Sequence, residues 1–143
     1  MVALPFSGAA QWVIVDTRRT GERHVTMVPT TLTPAATHVD HFIAWARYPV
    51  DLGHNFVVAD SRCNGKKRER LPACDHLAAW TERNAQFGAE IASELEQRGV
   101  IADLASSNRV TRWAYSQTEG AGGLTWVRAD EMVPLAAVWR DLI

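Results

Sequence analysis

The stretch Val39-Asp40-His41-Phe42-Ile43-Ala44-Trp45-Ala46-Arg47-Tyr48-Pro49-Val50-Asp51-Leu52-Gly53-His54-Asn55-Phe56-Val57-Val58-Ala59-Asp60-Ser61-Arg62-Cys63-Asn64-Gly65-Lys66-Lys67 decides the fold. Two short runs, Thr37 to Ile43 and Asn55 to Ala59, have strand composition. The residues between them include Tyr48-Pro49 and Gly53, which punctuate strands and so predict a loop. The basic segment that follows predicts a helix. The order is therefore strand, loop, strand, helix.

The polar residues in this order have a chemical reading of their own. Asp40 and His41 are adjacent, and adjacent side chains on a strand leave opposite faces, so the pair can serve two jobs. A carboxylate suits a hard cation, and a neutral imidazole can take a proton from water. Fourteen residues on comes Asn55, and nine further comes Asn64. The amide oxygen of Asn is acceptable to Mg²⁺ and a poor ligand for tight zinc binding.

The string VDHFIAWARYPVDLGHNFVVADSRCNGKKRERL, residues 39–71, resembles the HNH nuclease family and its ββα-metal motif. It is most similar to the branch whose third signature position is Asn, as in the HNH domain of the RNA-guided CRISPR effector nuclease. The resemblance extends to His76-Leu77 and Trp80-x-x-Arg83-Asn84. It implies that His41 is the general base, with Asp40 and Asn64 the ligands of Mg²⁺ or Mn²⁺. Asn55 matches the position that orients the catalytic histidine through its backbone or side chain, and Lys67 the position near the scissile phosphate. The implied activity is hydrolysis of DNA to 5′-phosphate and 3′-hydroxyl ends, with RNA an open alternative. Two departures stand out: no Cys-x-x-Cys pair precedes the motif, so no structural zinc is expected, and Ala44 stands where the family often has Pro.

Working outward, residues 1–36 hold two β-type runs, Trp12 to Val15 and His24 to Val28, around Thr17-Arg18-Arg19-Thr20-Gly21, which predicts a hairpin. Pro29 to Pro34 predicts a linker. From Asp75, offered as N-cap, the residues Leu77, Trp80, Asn84, Phe87, Ile91 and Leu95 recur at helical steps until Gly99. A further helix is predicted from Ser106 or Ser107 with Val110, Trp113 and Ala114 inward, then an extended Leu124 to Arg128. A last helix is predicted from Pro134 with Leu135, Val138, Trp139 and Leu142 inward. The fold class is α+β: an extension over 1–36, a nuclease core with its following helix over 37–100, and a helical packing segment over 101–143.

The composition is that of one globular domain of 143 residues with a formal net charge of -1, which excludes a protein coated with positive charge. That total hides a polarity. Residues 62–70 hold five Lys and Arg (Arg62, Lys66, Lys67, Arg68 and Arg70) against one Glu, a local +4, leaving -5 for the rest. Most short charge runs are solvated faces, but beside a phosphodiesterase motif Arg62, Lys66, Arg68 and Arg70 are candidate phosphate contacts. Trp45 and Tyr48 could stack on nucleic acid, with loop packing the favoured role. His38 and His54 could assist the site but are favoured as surface or strand-end residues, and His24 and His76 are assigned structural roles.

Cys63 and Cys74 are too few for a disulfide scaffold, so a reducing cytoplasm is the default. No run approaches a membrane span, and the start lacks the basic region of a signal peptide, so no membrane partner is expected. Sequence leaves the oligomeric state open. Alternatives to the nuclease are a weakened or inactive nucleic-acid-binding relative and a nuclease toxin restrained by a partner.

Overall fold

A computed structural model describes residues 11–17, 22–28 and 37–143. The predicted turn after Thr17 and the linker Pro29 to Pro34 lie outside these residues. The chain runs β1 (Gln11–Thr17), β2 (Glu22–Val28), β3 (Thr37–His41), a 3₁₀ turn (Gly53–Asn55), β4 (Phe56–Asp60), α1 (Ser61–Lys67), α2 (Cys74–Glu96), α3 (Leu104–Gly120), β5 (Leu124–Arg128), β6 (Glu131–Pro134) and α4 (Trp139–Leu142). The class is α+β.

One sheet has the order β1-β2-β4-β3. β1 and β2 pair antiparallel from Gln11↔Val28 to Thr17↔Glu22, which is the predicted hairpin pairing. β4 lies parallel to β2 at Thr26↔Val58 and antiparallel to β3, with Asp40 opposite Val57 and His41 opposite Phe56. The first strand of the motif stops at His41, two residues short of the prediction. Phe42 and Ile43 leave the sheet for the core, where Phe42 stacks on Trp80 with ring centroids 5.0 Å apart. Asn55 belongs to the 3₁₀ turn and β4 starts one residue later.

α2 buries Leu77, Trp80, Arg83, Asn84, Gly88 and Ile91, close to the predicted stripe. Asp75 is not its N-cap. The cap position is Ala73 and Asp75 sits inside the first turn, where a carboxylate still favours the positive end of the helix. α3 starts earlier than predicted because Asp103 caps it, accepting from the Ser106 amide at 3.1 Å. Its buried face is Ser107, Val110, Thr111, Ala114, Tyr115 and Thr118, which turns Trp113 outward to 47% exposure, against the inward prediction.

The C-terminal segment is less helical than predicted. β5 and β6 form an antiparallel hairpin, and Pro134 ends a strand rather than starting a helix. The turn is made by Ala129, whose φ of 43° is a left-handed conformation unusual for alanine. The helix is confined to Trp139–Leu142, with Trp139 buried and Val138 exposed. β5 also seals the core: the Trp126 amide donates to Leu71 O at 2.8 Å and the Ala73 amide to Trp126 O at 2.8 Å. The Tyr115 hydroxyl donates to Pro72 O at 2.6 Å across the same seam.

Candidate functional site

Asp40 and His41 leave β3 at its last two positions, and their contacts go to different elements. Asp40 Oδ2 accepts from Lys67 Nζ on α1 at 2.9 Å. His41 Nε2 lies 2.9 Å from Asp51 Oδ1 in the loop after β3. The His41 ring also meets the edge of Phe56, its partner across the strands, at a centroid distance of 5.0 Å and 63°. Among the described residues His41 Nδ1 has no hydrogen-bond partner, nor has Asp40 Oδ1.

Lys67 lies beneath the site, not at its mouth. It is 1% exposed, and its Nζ donates both to Asp40 and to His41 O, the latter at 2.8 Å. Burial pulls its ammonium below the usual lysine value, and the Asp40 carboxylate offsets part of that effect. A lysine in this position fastens α1 to the end of β3; the resemblance puts Lys67 near the scissile phosphate, and here its Nζ is buried beneath the site on Asp40 and His41 O. Asn64 lies one turn earlier on α1, half-buried, and its side chain has no hydrogen-bond partner among the described residues.

Asn55 is buried and clamps the chain that follows His41. Its Oδ1 accepts from the Ile43 amide at 2.8 Å, its Nδ2 donates to Ile43 O at 2.9 Å, and its own carbonyl accepts from the Phe42 amide at 2.7 Å. Both polar atoms of its side chain are thus engaged by Ile43 and not by the His41 ring. Arg83, buried in α2, supports Asn55 from behind by donating to the carbonyls of His54 and Phe56 on either side of it. Burial draws the Arg83 guanidinium down to about 9. Trp80 Nε1 also donates to His54 O, at 3.0 Å.

His54 is a core residue, with Nε2 on Gly88 O at 2.9 Å, and so takes no part in the site. The side chains of His24 and His38 lie outside the described residues. His76 packs on Trp126 with Nε2 on Val127 O at 2.6 Å. Trp45 is 55% exposed, while Tyr48 packs against the core, so the two loop aromatics part company. Arg47 ties their loop to the basic segment by donating from Nε to Glu69 O at 2.7 Å.

The basic residues are on the surface but not uniformly at liberty. Lys66 Nζ donates to both carboxylate oxygens of Asp130, each at 2.8 Å, from the turn of the β5-β6 hairpin. That hydrogen bond and the charge of Lys66, with smaller help from Arg70 and Arg68, hold the Asp130 carboxyl below its ordinary range. Arg68 adopts a φ of 51° and donates from Nε to Gly65 O, and Arg70 donates to Lys66 O. Arg62 is exposed on α1. Asp51 and Asp130 were invisible to sequence reasoning, since each meets its partner across a loop or a fold with no periodic spacing to announce it.

Among the described residues no three His, Cys, Asp or Glu side chains gather about one point. A cation here would rest on one carboxylate and one amide, a sparse oxygen set that fits Mg²⁺ or Mn²⁺ with water and phosphate filling the shell. Neither cysteine is in a disulfide, and no helix among the described residues is long and apolar enough to cross a membrane. Set against protein-family models, curated proteins and solved structures, the chain finds no match in any of the three comparisons.

Proposed function

We propose that this chain is an HNH-type, metal-dependent endonuclease that hydrolyses DNA phosphodiester bonds, with β3, β4 and α1 as its ββα core. The observation that carries the reading is Lys67, on the same short helix as Asn64, whose Nζ donates to both Asp40 Oδ2 and His41 O. Asp40 and Asn64 would hold the cation, since Asp40 Oδ1 and the Asn64 amide are the oxygens there without a partner among the described residues. When bound, the cation supplies charge stabilisation at the 3′ oxygen as it leaves. His41 takes the proton from the attacking water, in line with that oxygen, through Nδ1. Asn55 fixes the backbone that carries His41, and Arg62, Lys66, Arg68 and Arg70 place the phosphate backbone without reading bases. The products are a 5′-phosphate and a 3′-hydroxyl.

The test is incubation of the purified protein with supercoiled plasmid and Mg²⁺, beside His41→Ala. Nicking by the parent and not by the variant is expected; equal nicking, or none by either, removes His41 from the account. A second reading, a nucleic-acid-binding protein without activity, is favoured by one observation: Lys67 already occupies one oxygen of Asp40. Plasmid binding without nicking would select it.

A further inference from the structure

We infer that Asp51 is the positioning residue for His41, fixing the ring in the tautomer that carries its proton on Nε2 and presents Nδ1 as the basic nitrogen. The inference rests on the nuclease reading for its functional meaning, though not for its chemistry.

A carboxylate can only accept, so the 2.9 Å contact between His41 Nε2 and Asp51 Oδ1 requires a proton on Nε2. In a neutral ring the lone pair is then on Nδ1, the nitrogen without a partner among the described residues. The Phe56 edge contact fixes the plane of the ring, so tautomer and orientation are set by two different groups. This is the division of labour in which a base is aimed by an acidic neighbour, here with the imidazole partly exposed.

Asp51 is 63% exposed, so its own burial does not hold it in place. The chain immediately after it does. The Gly53 amide donates to Ile101 O at 2.7 Å, Leu52 bridges to Ile101, and Asn55 closes the loop onto Phe42 and Ile43. Gly53 packs closely at this crossing: a Cβ there would come within 2.5 Å of Leu95 Cδ1, which would have to turn aside. The loop's return point is thus fixed by α2 and by the connection into α3. The orienting role expected of Asn55 divides in two: Asn55 holds the backbone, and Asp51 meets the imidazole.

The experiment reads the tautomer directly, by long-range ¹H–¹⁵N spectra of the histidine rings in the ¹⁵N-labelled full chain, in buffer alkaline enough to keep the rings neutral. His41 is assigned by its loss in His41→Gln. The parent should show the Nε2–H pattern for His41, and Asp51→Ala should show a mixture of both tautomers. Asp51→Asn, which can donate as well as accept, should also lose the preference while keeping size. An Nδ1–H pattern in the parent, or an unchanged pattern in both variants, overturns the inference whatever the plasmid assay gives. On plasmid, kcat should fall about 10- to 100-fold in Asp51→Ala with KM unchanged. A rise in KM at constant kcat would make Asp51 a binding residue and overturn its positioning role. Absence of nicking by the parent would sink the nuclease reading alone and leave the tautomer result standing.

Discussion

Lys67 Nζ and Asp40 Oδ2 are 2.9 Å apart, and the lysine is almost wholly buried while the aspartate keeps some exposure. Removing one member of such a pair leaves the other charge without compensation, which costs more than the pair itself contributes. Lys67→Met should therefore destabilise the protein by about 3 kcal/mol in urea denaturation. The double variant with Asp40→Asn should cost less than the sum of the two single variants, because the stranded charge is gone. Additive losses would mean that the pair is not coupled. Lys67→Met should also leave the salt dependence of DNA binding unchanged, since its Nζ does not reach the surface.

The Lys66 and Asp130 pair makes the opposite prediction. Both groups are largely exposed, so the contact adds little to stability in water. Its consequence is electrostatic: on the proposed nuclease reading, the Asp130 carboxylate competes with a DNA phosphate for Lys66, near Arg68 and Arg70. Asp130→Asn should tighten DNA binding and steepen the dependence of log K on log salt by about one. Arg68→Ala should weaken binding equally on all sequences and make that slope shallower by about one. Weaker binding by Asp130→Asn would show that the hairpin turn contacts DNA for itself.

Stability should fall in mild acid, and two histidines set the window. His54 and His76 each use Nε2 on a backbone carbonyl and leave Nδ1 buried without a partner, so a second proton has nowhere to bond. Burial holds both below the ordinary histidine value of 6.5, although the hydrogen bonds to Gly88 O and Val127 O act the other way. The unfolded chain therefore binds protons first as the pH drops. Stability is fully present above about pH 6.5 and is lost below it as the pH falls through the folded values, by at most about 1.4 kcal/mol per pH unit for each histidine. Asp103 and Asp130 do not interfere, because Ser106 and Lys66 hold their carboxyls below the carboxylate range. The urea midpoint measured from about pH 7.5 to about pH 5 should decline, and His76→Gln should lessen the decline. A flat midpoint in the parent would show that the folded state accepts these protons without cost.

The parts of the fold legible in the sequence are those whose signal is local. The succession of β3, β4 and α1 follows from composition and breakers, and α2 from apolar residues at steps of three and four. Trp113 is misplaced because the buried face of α3 is made in part by Ser107, Thr111 and Thr118, residues that carry no apolar signal. β6 is hidden because its turn uses Ala129 in a conformation that glycine or asparagine would have advertised. At the candidate site the sequence names residues but not their partners. Lys67 sits in a run that looks solvated, and only the packing of α1 against β3 shows it to be interior.

Asn55 offers the sharpest separation between shape and hydrogen-bond polarity. Its side chain accepts from the Ile43 amide and donates to the Ile43 carbonyl, and Ile43 is itself buried, so water cannot replace either bond. Asn55→Ala leaves both backbone groups unsatisfied and should cost about 2 kcal/mol or more. Asn55→Asp keeps the shape but can only accept, so it turns a carboxylate oxygen toward the Ile43 carbonyl and buries a charge as well. The aspartate variant should therefore be the less stable of the two at neutral pH and should recover part of the difference in acid, where the carboxyl can regain a donor. Denaturation curves of both variants at two pH values check this directly. If Asn55→Asp is as stable as the parent, the clamp on Ile43 is not what holds the loop behind His41.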